Sequence, residues 1–197
     1  MRHLLLWDAP NIDMTVANII DGKPTSKERP DLAVLGHWLV DRAGGQDVEA
    51  CVFINVAPHV AGPLRGWVLW LLEQGYRVFA KPKMGDSDVD EDMLAHIRAR
   101  GEDGGLVAVY VGSNDARNFL QPLEALARDG VVAHALGFAE YAGGLSTSDL
   151  VTFVDLEDVP GLFEQPLPRI NLEVLPDEGR WFEPTGTLGL AVGEDVA

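Results

Sequence analysis

Residues 4–11 read Leu-Leu-Leu-Trp-Asp-Ala-Pro-Asn, an apolar run that ends at a carboxylate. A short apolar run bounded by a charge and a proline is typical of a strand buried on both faces, as in a parallel sheet. Open α/β sheets bind ligands outside the carboxyl ends of their strands, so we expect Asp8 and Asn11 at the rim of a cleft. Their oxygens can hold a hard cation. Alternatively, either residue caps the next helix.

Helix-like and strand-like segments alternate along the rest of the chain. Apolar residues at helical spacing predict helices over residues 12–20, 31–43, 62–74, 90–100 and 114–129. Apolar runs rich in β-branched residues predict further strands over 48–56, 76–81, 106–111 and 131–136, with an edge strand over 151–156. This alternation predicts an α/β fold with a mostly parallel sheet, helices on both faces and right-handed crossovers.

The length and composition indicate one domain with an appendage. The chain has 197 residues, of which 47% are hydrophobic, so it can bury a substantial core. We expect the domain to span residues 1–160. Residues 161–197 are predicted to form an extension that is irregular or folds back on the domain through Ile170–Leu175.

The charge limits the choice of partners. The chain carries 31 acidic and 15 basic residues, for a net charge of −16. Such a field repels polyanions, so tight nonspecific binding to duplex nucleic acid is disfavoured, although a small basic groove is compatible with it. The acidic surface also suits a protein partner or a second copy of the chain.

Targeting and redox features indicate a reducing compartment. Cys51 is the single cysteine, which excludes an intramolecular disulfide, and its apolar surroundings predict a core residue. The apolar start of the chain is too short for a signal sequence, and no apolar run approaches the ~20 residues of a membrane span. We therefore expect a cytoplasmic protein with no membrane contact.

Two further acidic points follow later strands of the predicted sheet. The third strand leads into an acidic cluster formed by Asp86, Asp88, Asp90, Glu91 and Asp92, and the fourth ends in Ser113-Asn114-Asp115. Carboxylates crowded into a cleft repel one another unless a cation neutralises them, and Mg²⁺ or Mn²⁺ suits oxygen ligands. Such a metal can activate water against a phosphodiester. Alternatively, each group is a solvated helix N-terminus or an N-cap.

Other site motifs are excluded by their spacing. Asp86, Asp88 and Asp90 imitate the start of an EF-hand loop, but Glu91 and Ile97 occupy the positions that need Gly and Glu. The chain contains neither a P-loop nor a dinucleotide-binding fingerprint after the first strand. Its five histidines show no zinc-protease spacing.

The order and spacing of three short motifs resemble the NYN domains of the PIN-like nuclease superfamily. The motifs are Asp8-Ala9-Pro10-Asn11, Val89-Asp90, and Ser113-Asn114-Asp115 followed by Phe119 and Pro122. The resemblance spans residues 3–156. It implies a Rossmann-like three-layer α/β/α sandwich and metal-dependent cleavage of RNA at a Mg²⁺ or Mn²⁺ site. It also implies that Asp8, Asp90 and Asp115 hold the metal and that Asn11 is a polar ligand.

The chain departs from the family pattern at two places. The family commonly has a second acid after the fourth strand, where this chain has Arg117 and Asn118. A late aspartate of the family corresponds to Asp149 once the alignment is shifted, which makes Asp149 a further candidate ligand. An Asn ligand brings no charge and weakens the hold on a divalent ion. A noncatalytic RNA-binding or nucleotide-binding module is therefore an alternative to the ribonuclease. An interaction domain whose acidic surface binds a protein partner is a second alternative.

Binding of RNA needs some positive surface around the acidic floor. Basic residues that follow the early strands are predicted to form a rim, namely Lys23, Lys27, Arg29, Arg65, Lys81 and Lys83. Ser113, Asn114 and Arg117 are further candidates for substrate contact, and Arg117 could instead pair with Asp115 in place of a cation. Trp38, Trp67 and Trp70 lie at inward helix positions and are expected to belong to the core.

Overall fold

A six-stranded parallel sheet forms the middle layer of the protein. A computed structural model describes residues 1–57, 61–84, 88–169, 175, 177–179, 181–182 and 184. The strands are β1 (Arg2–Asp8), β2 (Asp47–Val56), β3 (Arg77–Pro82), β4 (Leu106–Gly112), β5 (Val132–Gly137) and β6 (Thr152–Asp155). The helices are α1 (Ala9–Ile20), α2 (Leu32–Ala43), α3 (Ala61–Glu73), α4 (Asp90–Glu102) and α5 (Ala116–Arg128).

The strand order places β1 near the centre of the sheet. The order is β3-β2-β1-β4-β5-β6. β2 and β3 therefore lie on one side of β1, and β4, β5 and β6 lie on the other. At the point where the strand order reverses, the helices that follow the two adjacent strands lie on opposite faces of the sheet. A crevice therefore opens there at the carboxyl ends of the strands. This crevice lies between the ends of β1 and β4, and Asp8 lies at its edge.

Alternate residues of β1 pack into two separate hydrophobic cores. Leu5 and Trp7 belong to a core that includes residues of α1, α2 and α3. Leu4 and Leu6 belong to the core on the opposite face, with residues of α4 and α5. The chain therefore folds as a three-layer α/β/α sandwich, which confirms the Rossmann-like fold predicted from the sequence.

Helix boundaries differ from the predicted ones by at most three residues, and the caps explain the differences. α1 begins at Ala9 rather than Ile12 because the carboxylate of Asp8 accepts the backbone N–H of Asn11, and Pro10 fits the first turn of a helix. α5 begins after Asp115, whose carboxylate accepts two amides of the first turn. Two acids expected near the site therefore also start helices.

The described start of the extension packs on the domain. Leu162 and Leu167 are buried in the core that contains α1, α2 and α3, and the guanidinium of Arg169 forms ion pairs with Glu157 and Glu140. Packed structure thus continues beyond the predicted boundary at residue 160. Of the predicted fold-back segment 170–175, all but the last residue lies outside the described residues. No helix within the described ranges is long and apolar enough to span a membrane.

Candidate functional site

Asp8 lies at the carboxyl end of β1 and is almost completely buried. Its side chain is 2% exposed. The backbone N–H of Asn11 donates to Oδ1 at 3.1 Å, and the hydroxyl of Ser113 donates to Oδ2 at 3.0 Å. Burial outweighs these hydrogen bonds and raises the pKa of Asp8 from 3.8 to about 7, with a contribution from the charge of Asp90. A nearby cation would stabilise the ionised form of this group.

Asp90 is the first residue of α4 and the second buried carboxylate of the site. It is 5% exposed, and burial raises its pKa to about 6. The side-chain amide of Asn118 donates to Oδ2, whereas the buried Oδ1 has no hydrogen-bond partner among the described residues. The negative charge of Asp88 also raises the pKa of Asp90. A buried oxygen without a donor, next to another carboxylate, is a favourable position for a cation.

Asp115 is the third acid at this edge, and Asn118 joins it to Asp90. Oδ1 of Asp115 accepts the backbone N–H groups of Arg117 and Asn118, as expected of an N-cap. The side-chain amide of Asn118 donates to Oδ2 of Asp115 at 3.3 Å and also to Asp90. A neutral donor therefore lies between two acids, at the position where the family resemblance implies a further acid. It satisfies carboxylate oxygens but leaves both negative charges in place.

Three polar residues that are predicted to contact metal or substrate make hydrogen bonds within the protein at the ends of β1 and β4. Oδ1 of Asn11 accepts the backbone N–H of Asn114 at 2.8 Å, so this oxygen is already engaged. Ser113 is fully buried and donates to Asp8. The side chain of Asn114 binds the backbone N–H and carbonyl of Phe138. These contacts join the ends of β1, β4 and β5, and Ser113 also orients Asp8. That these residues contact metal or substrate stays a prediction.

The three acids are too far apart for one metal ion to bind all of them directly. In the part of the chain that the structure describes, Asp8, Asp90 and Asp115 do not bring one oxygen each within 4.8 Å of the others. Mg²⁺ needs only one or two carboxylates because it usually keeps several waters. The buried Oδ1 of Asp90, which has no hydrogen-bond donor among the described residues, is the position that favours an ion.

The predicted basic residues differ in exposure and in whether an acidic partner offsets their charge. Arg117 is 93% exposed, and its Nε lies 4.0 Å from Oδ1 of Asp115, so it contacts that acid only weakly. Lys83 follows β3 and is exposed. Lys81 forms an ion pair with Asp92, which offsets its charge. Arg117 and Lys83 are therefore better placed than Lys81 to meet an anionic ligand.

Asp149 lies away from the other acids. It precedes β6, at the amino-terminal edge of the sheet, and it is exposed. The hydroxyl of the adjacent Ser148 donates to Glu124, which lies more than two turns along α5 from Asp115. The structure does not bring the predicted ligand Asp149 to the site, because β6 runs parallel to the other strands and begins at the far edge.

A second group of potential metal ligands lies at the amino-terminal edge, where sequence reasoning proposed no site. Glu49, Cys51 and His96 place ligand atoms within 4.8 Å of one another, a donor set compatible with Zn²⁺. Three arginines already neutralise Glu49, with Arg100 the nearest at 3.0 Å. Burial raises the pKa of the Cys51 thiol to about 12, whereas metals bind the thiolate. The geometry is compatible with a metal, but the local charge opposes one.

A cavity of roughly 700 Å³ lies between α1 and α3 at the carboxyl edge of the sheet. Its lining includes Trp7, Trp67 and Trp70 together with Arg29. Trp67 and Trp70 were predicted to be core residues, but they are only half-buried and form part of the cavity wall. Helical spacing identified their inward direction and gave no information on whether another element fills the space opposite them.

Comparisons with known proteins support the fold and leave the activity open. No family model matches the chain, and no curated protein matches its sequence. A crystal structure of a protein of unknown function from Vibrio parahaemolyticus RIMD 2210633 is similar, with a TM-score of 0.60 and 15% sequence identity. The similarity covers 78% of this chain and 93% of that chain. At this identity the likeness concerns the fold alone.

Proposed function

We propose that the chain is a metal-dependent ribonuclease of the NYN type, which hydrolyses phosphodiester bonds in single-stranded or structured RNA. The observation that carries the proposal is the pair of buried carboxylates, Asp8 and Asp90, at the crevice between β1 and β4. Burying two acids together is unfavourable unless a proton or a cation accompanies them. The motif resemblance to NYN domains supplies the choice of RNA as substrate.

Asp8 and Asp90 are the residues that would hold Mg²⁺ or Mn²⁺, with Asp115 close by. A bound divalent ion supplies an activated water and positive charge for a phosphodiester under attack. Ser113 and the backbone N–H of Asn11 fix the orientation of Asp8. The first-turn amides of α5 hold Asp115 in the same way. The acids are thus positioned by the fold before any ligand arrives.

Exposed basic residues provide the contacts with RNA phosphates that the acidic residues cannot make. Arg117 is on the first turn of α5, beside Asp115, where its guanidinium can bind a phosphate oxygen. Lys83 adds charge beyond the end of β3. These local charges offset the net charge of −16, which otherwise repels RNA. An RNA substrate also agrees with the predicted cytoplasmic location.

A noncatalytic RNA-binding or nucleotide-binding module is the second candidate, and Asn118 favours it. Its amide donates to Asp90 and Asp115, so it already satisfies oxygens that a metal would otherwise bind. A neutral residue here also removes one negative charge from the expected ligand set. Under this alternative the crevice binds its ligand and lacks turnover.

The test is cleavage of a labelled single-stranded RNA by the purified chain in Mn²⁺, Mg²⁺ or EDTA. Asp8→Asn and Asp115→Asn remove the proposed acids, and Asp149→Asn is the matched control because that acid is exposed and distant. The proposal expects metal-dependent cleavage that both site variants lose and the control keeps. RNA binding without cleavage in either metal supports the noncatalytic module, and equal cleavage by all four proteins would indicate a contaminating nuclease.

A further inference from the structure

The cavity between α1 and α3 shares its edge of the sheet with the acidic site. Successive strand residues point to opposite faces, so the side chains of Trp7 and Asp8 leave β1 in opposite directions. Trp7 lines the cavity, and so do Ala9 and Pro10, which directly follow Asp8. The first turn of α1 is therefore a wall shared by the cavity and the acidic site, and a chain-like ligand crossing this turn could reach both.

The lining of the cavity offers flat aromatic surfaces. Trp67 and Trp70 lie three residues apart on α3, so their side chains are neighbours on one face of the helix. Both remain half-buried, which leaves indole surface open to a ligand. The volume of roughly 700 Å³ falls in the range of about 300–1,000 Å³ that small-molecule pockets usually show.

The charged groups near the cavity are partly paired. Arg29 lines the cavity and forms a bidentate ion pair with Asp13, which also lines it, so the charge of Arg29 is offset. Arg65 on α3 and Lys83 after β3 are exposed and lie outside the lining. Aromatic faces beside basic groups are the combination by which proteins bind single-stranded nucleic acid, since bases stack on the rings and phosphates pair with the cations. The aromatic lining therefore carries the choice of ligand, and the exposed cations outside it are available to phosphates.

We propose that this cavity receives a nucleobase of single-stranded RNA, on the strand whose phosphate lies at Asp8 and Asp90. The base stacks on Trp67 or Trp70, and the sugar-phosphate backbone crosses the first turn of α1 towards the acids. This inference rests on the proposed function for the substrate class. It adds a subsite that sets how the RNA is seated and which bases are accepted.

The experiment measures binding of a short fluorescein-labelled single-stranded RNA to the full chain in EDTA, which prevents metal-dependent cleavage. A set of RNAs is prepared, each of which lacks the base at one position. The affinity of each for the wild-type protein is compared with that of the intact strand. Loss of a stacked base costs roughly 1–3 kcal/mol, so one or two positions should weaken binding by about 5- to 150-fold. This comparison requires no variant and is independent of any folding defect.

Trp67→Leu and Trp70→Leu then test whether the sensitive base lies in the cavity. Trp181→Leu is the matched control, because Trp181 is 95% exposed and absent from the cavity lining. At least one cavity variant should bind the intact and the base-deleted RNA with equal affinity. The control should still bind the intact RNA more tightly. Folded Trp67→Leu and Trp70→Leu proteins that keep the base-dependence would overturn the inference, as would a wild type indifferent to every base deletion.

The failure of this inference and the failure of the nuclease proposal give different results. Metal-dependent cleavage together with base-independent binding overturns the subsite and leaves the ribonuclease standing. A base effect that disappears in the cavity variants, without cleavage in Mn²⁺ or Mg²⁺, supports the subsite and overturns the ribonuclease. An apolar dye that binds in the cavity and is not displaced by RNA would assign the cavity to another ligand and overturn the inference.

Discussion

Replacing Asp8 by Asn should stabilise the metal-free protein above neutral pH, although it removes a proposed metal ligand. The folded chain raises the pKa of Asp8 from 3.8 to about 7 because the group is buried. Folding therefore favours the protonated carboxyl group. Its stabilising contribution is complete below pH 3.8 and is lost as the pH rises through about 7. Asparagine does not ionise and so avoids this loss.

The size of the effect follows from the pKa difference. Each pKa unit corresponds to about 1.4 kcal/mol, so the rise of the pKa from 3.8 to about 7 gives about 4 kcal/mol at about pH 8. The variant keeps an oxygen for the backbone N–H of Asn11, but its NH₂ group faces Ser113, and the disturbed hydrogen bond costs about 1 kcal/mol. We expect a net gain of about 3 kcal/mol for Asp8→Asn, and a small loss below pH 3.8.

The assay is urea unfolding followed by tryptophan fluorescence in EDTA, at about pH 8 and again below the ordinary pKa of a carboxyl group. Asp149→Asn is the control, and its free energy of unfolding should change little. Mn²⁺ at about 1,000 times its Kd should reverse the ranking at high pH, since it adds about 4.1 kcal/mol to the wild type alone. A variant that is less stable than wild type at both pH values would refute the reasoning.

Three further predictions concern the supports of the site and the rest of the sheet. Ser113→Ala removes a donor to Asp8 and should weaken Mn²⁺ binding by about tenfold in a calorimetric titration, with the fold retained. Glu49→Gln leaves three arginines without their shared carboxylate and should lower the free energy of unfolding by about 2–3 kcal/mol in urea. Burial lowers the pKa of His134 from 6.5 to about 4, so wild-type stability should fall as the pH drops through this range. His134→Phe should remove that part of the pH dependence in parallel urea titrations.

The fold could be predicted from the sequence, and so could the position of the three acids after strands of the sheet. Strands buried on both faces appear as apolar runs, and the rule that ligands bind at the carboxyl ends of parallel strands selects the residues that follow them. Asp8, Asp90 and Asp115 all satisfy this rule. The distances between them depend on the spacing of β1, α4 and β4, which the pattern of residues does not specify.

The roles of the remaining polar residues depended on backbone groups that only the fold defines. Asn11, Ser113 and Asn114 follow strands as a ligand would, but backbone amides and a buried carboxylate at the same edge take their hydrogen bonds. A buried polar group must be satisfied before it can serve a ligand. Asp149 was expected at the site but lies at the opposite edge of the sheet. It precedes β6, and β6 runs parallel to the other strands.

The tryptophans of α3 show a different limit of sequence reasoning. Periodicity predicts which face of a helix is turned inward, and Trp67 and Trp70 do face the interior. It cannot show whether the facing segment fills the space, and here a cavity remains between α1 and α3. The signal that was available is the presence of two indoles three residues apart on one helix.

The most direct test of the central claim is a Mn²⁺ titration of the metal-free chain, followed by electron paramagnetic resonance. The claim is that the buried acids at the crevice between β1 and β4 hold a divalent cation. Wild type and Glu49→Gln should bind Mn²⁺ alike, and Asp90→Asn should lose this binding. Equal binding by wild type and Asp90→Asn, or a loss confined to Glu49→Gln, would contradict the claim and place the ion elsewhere.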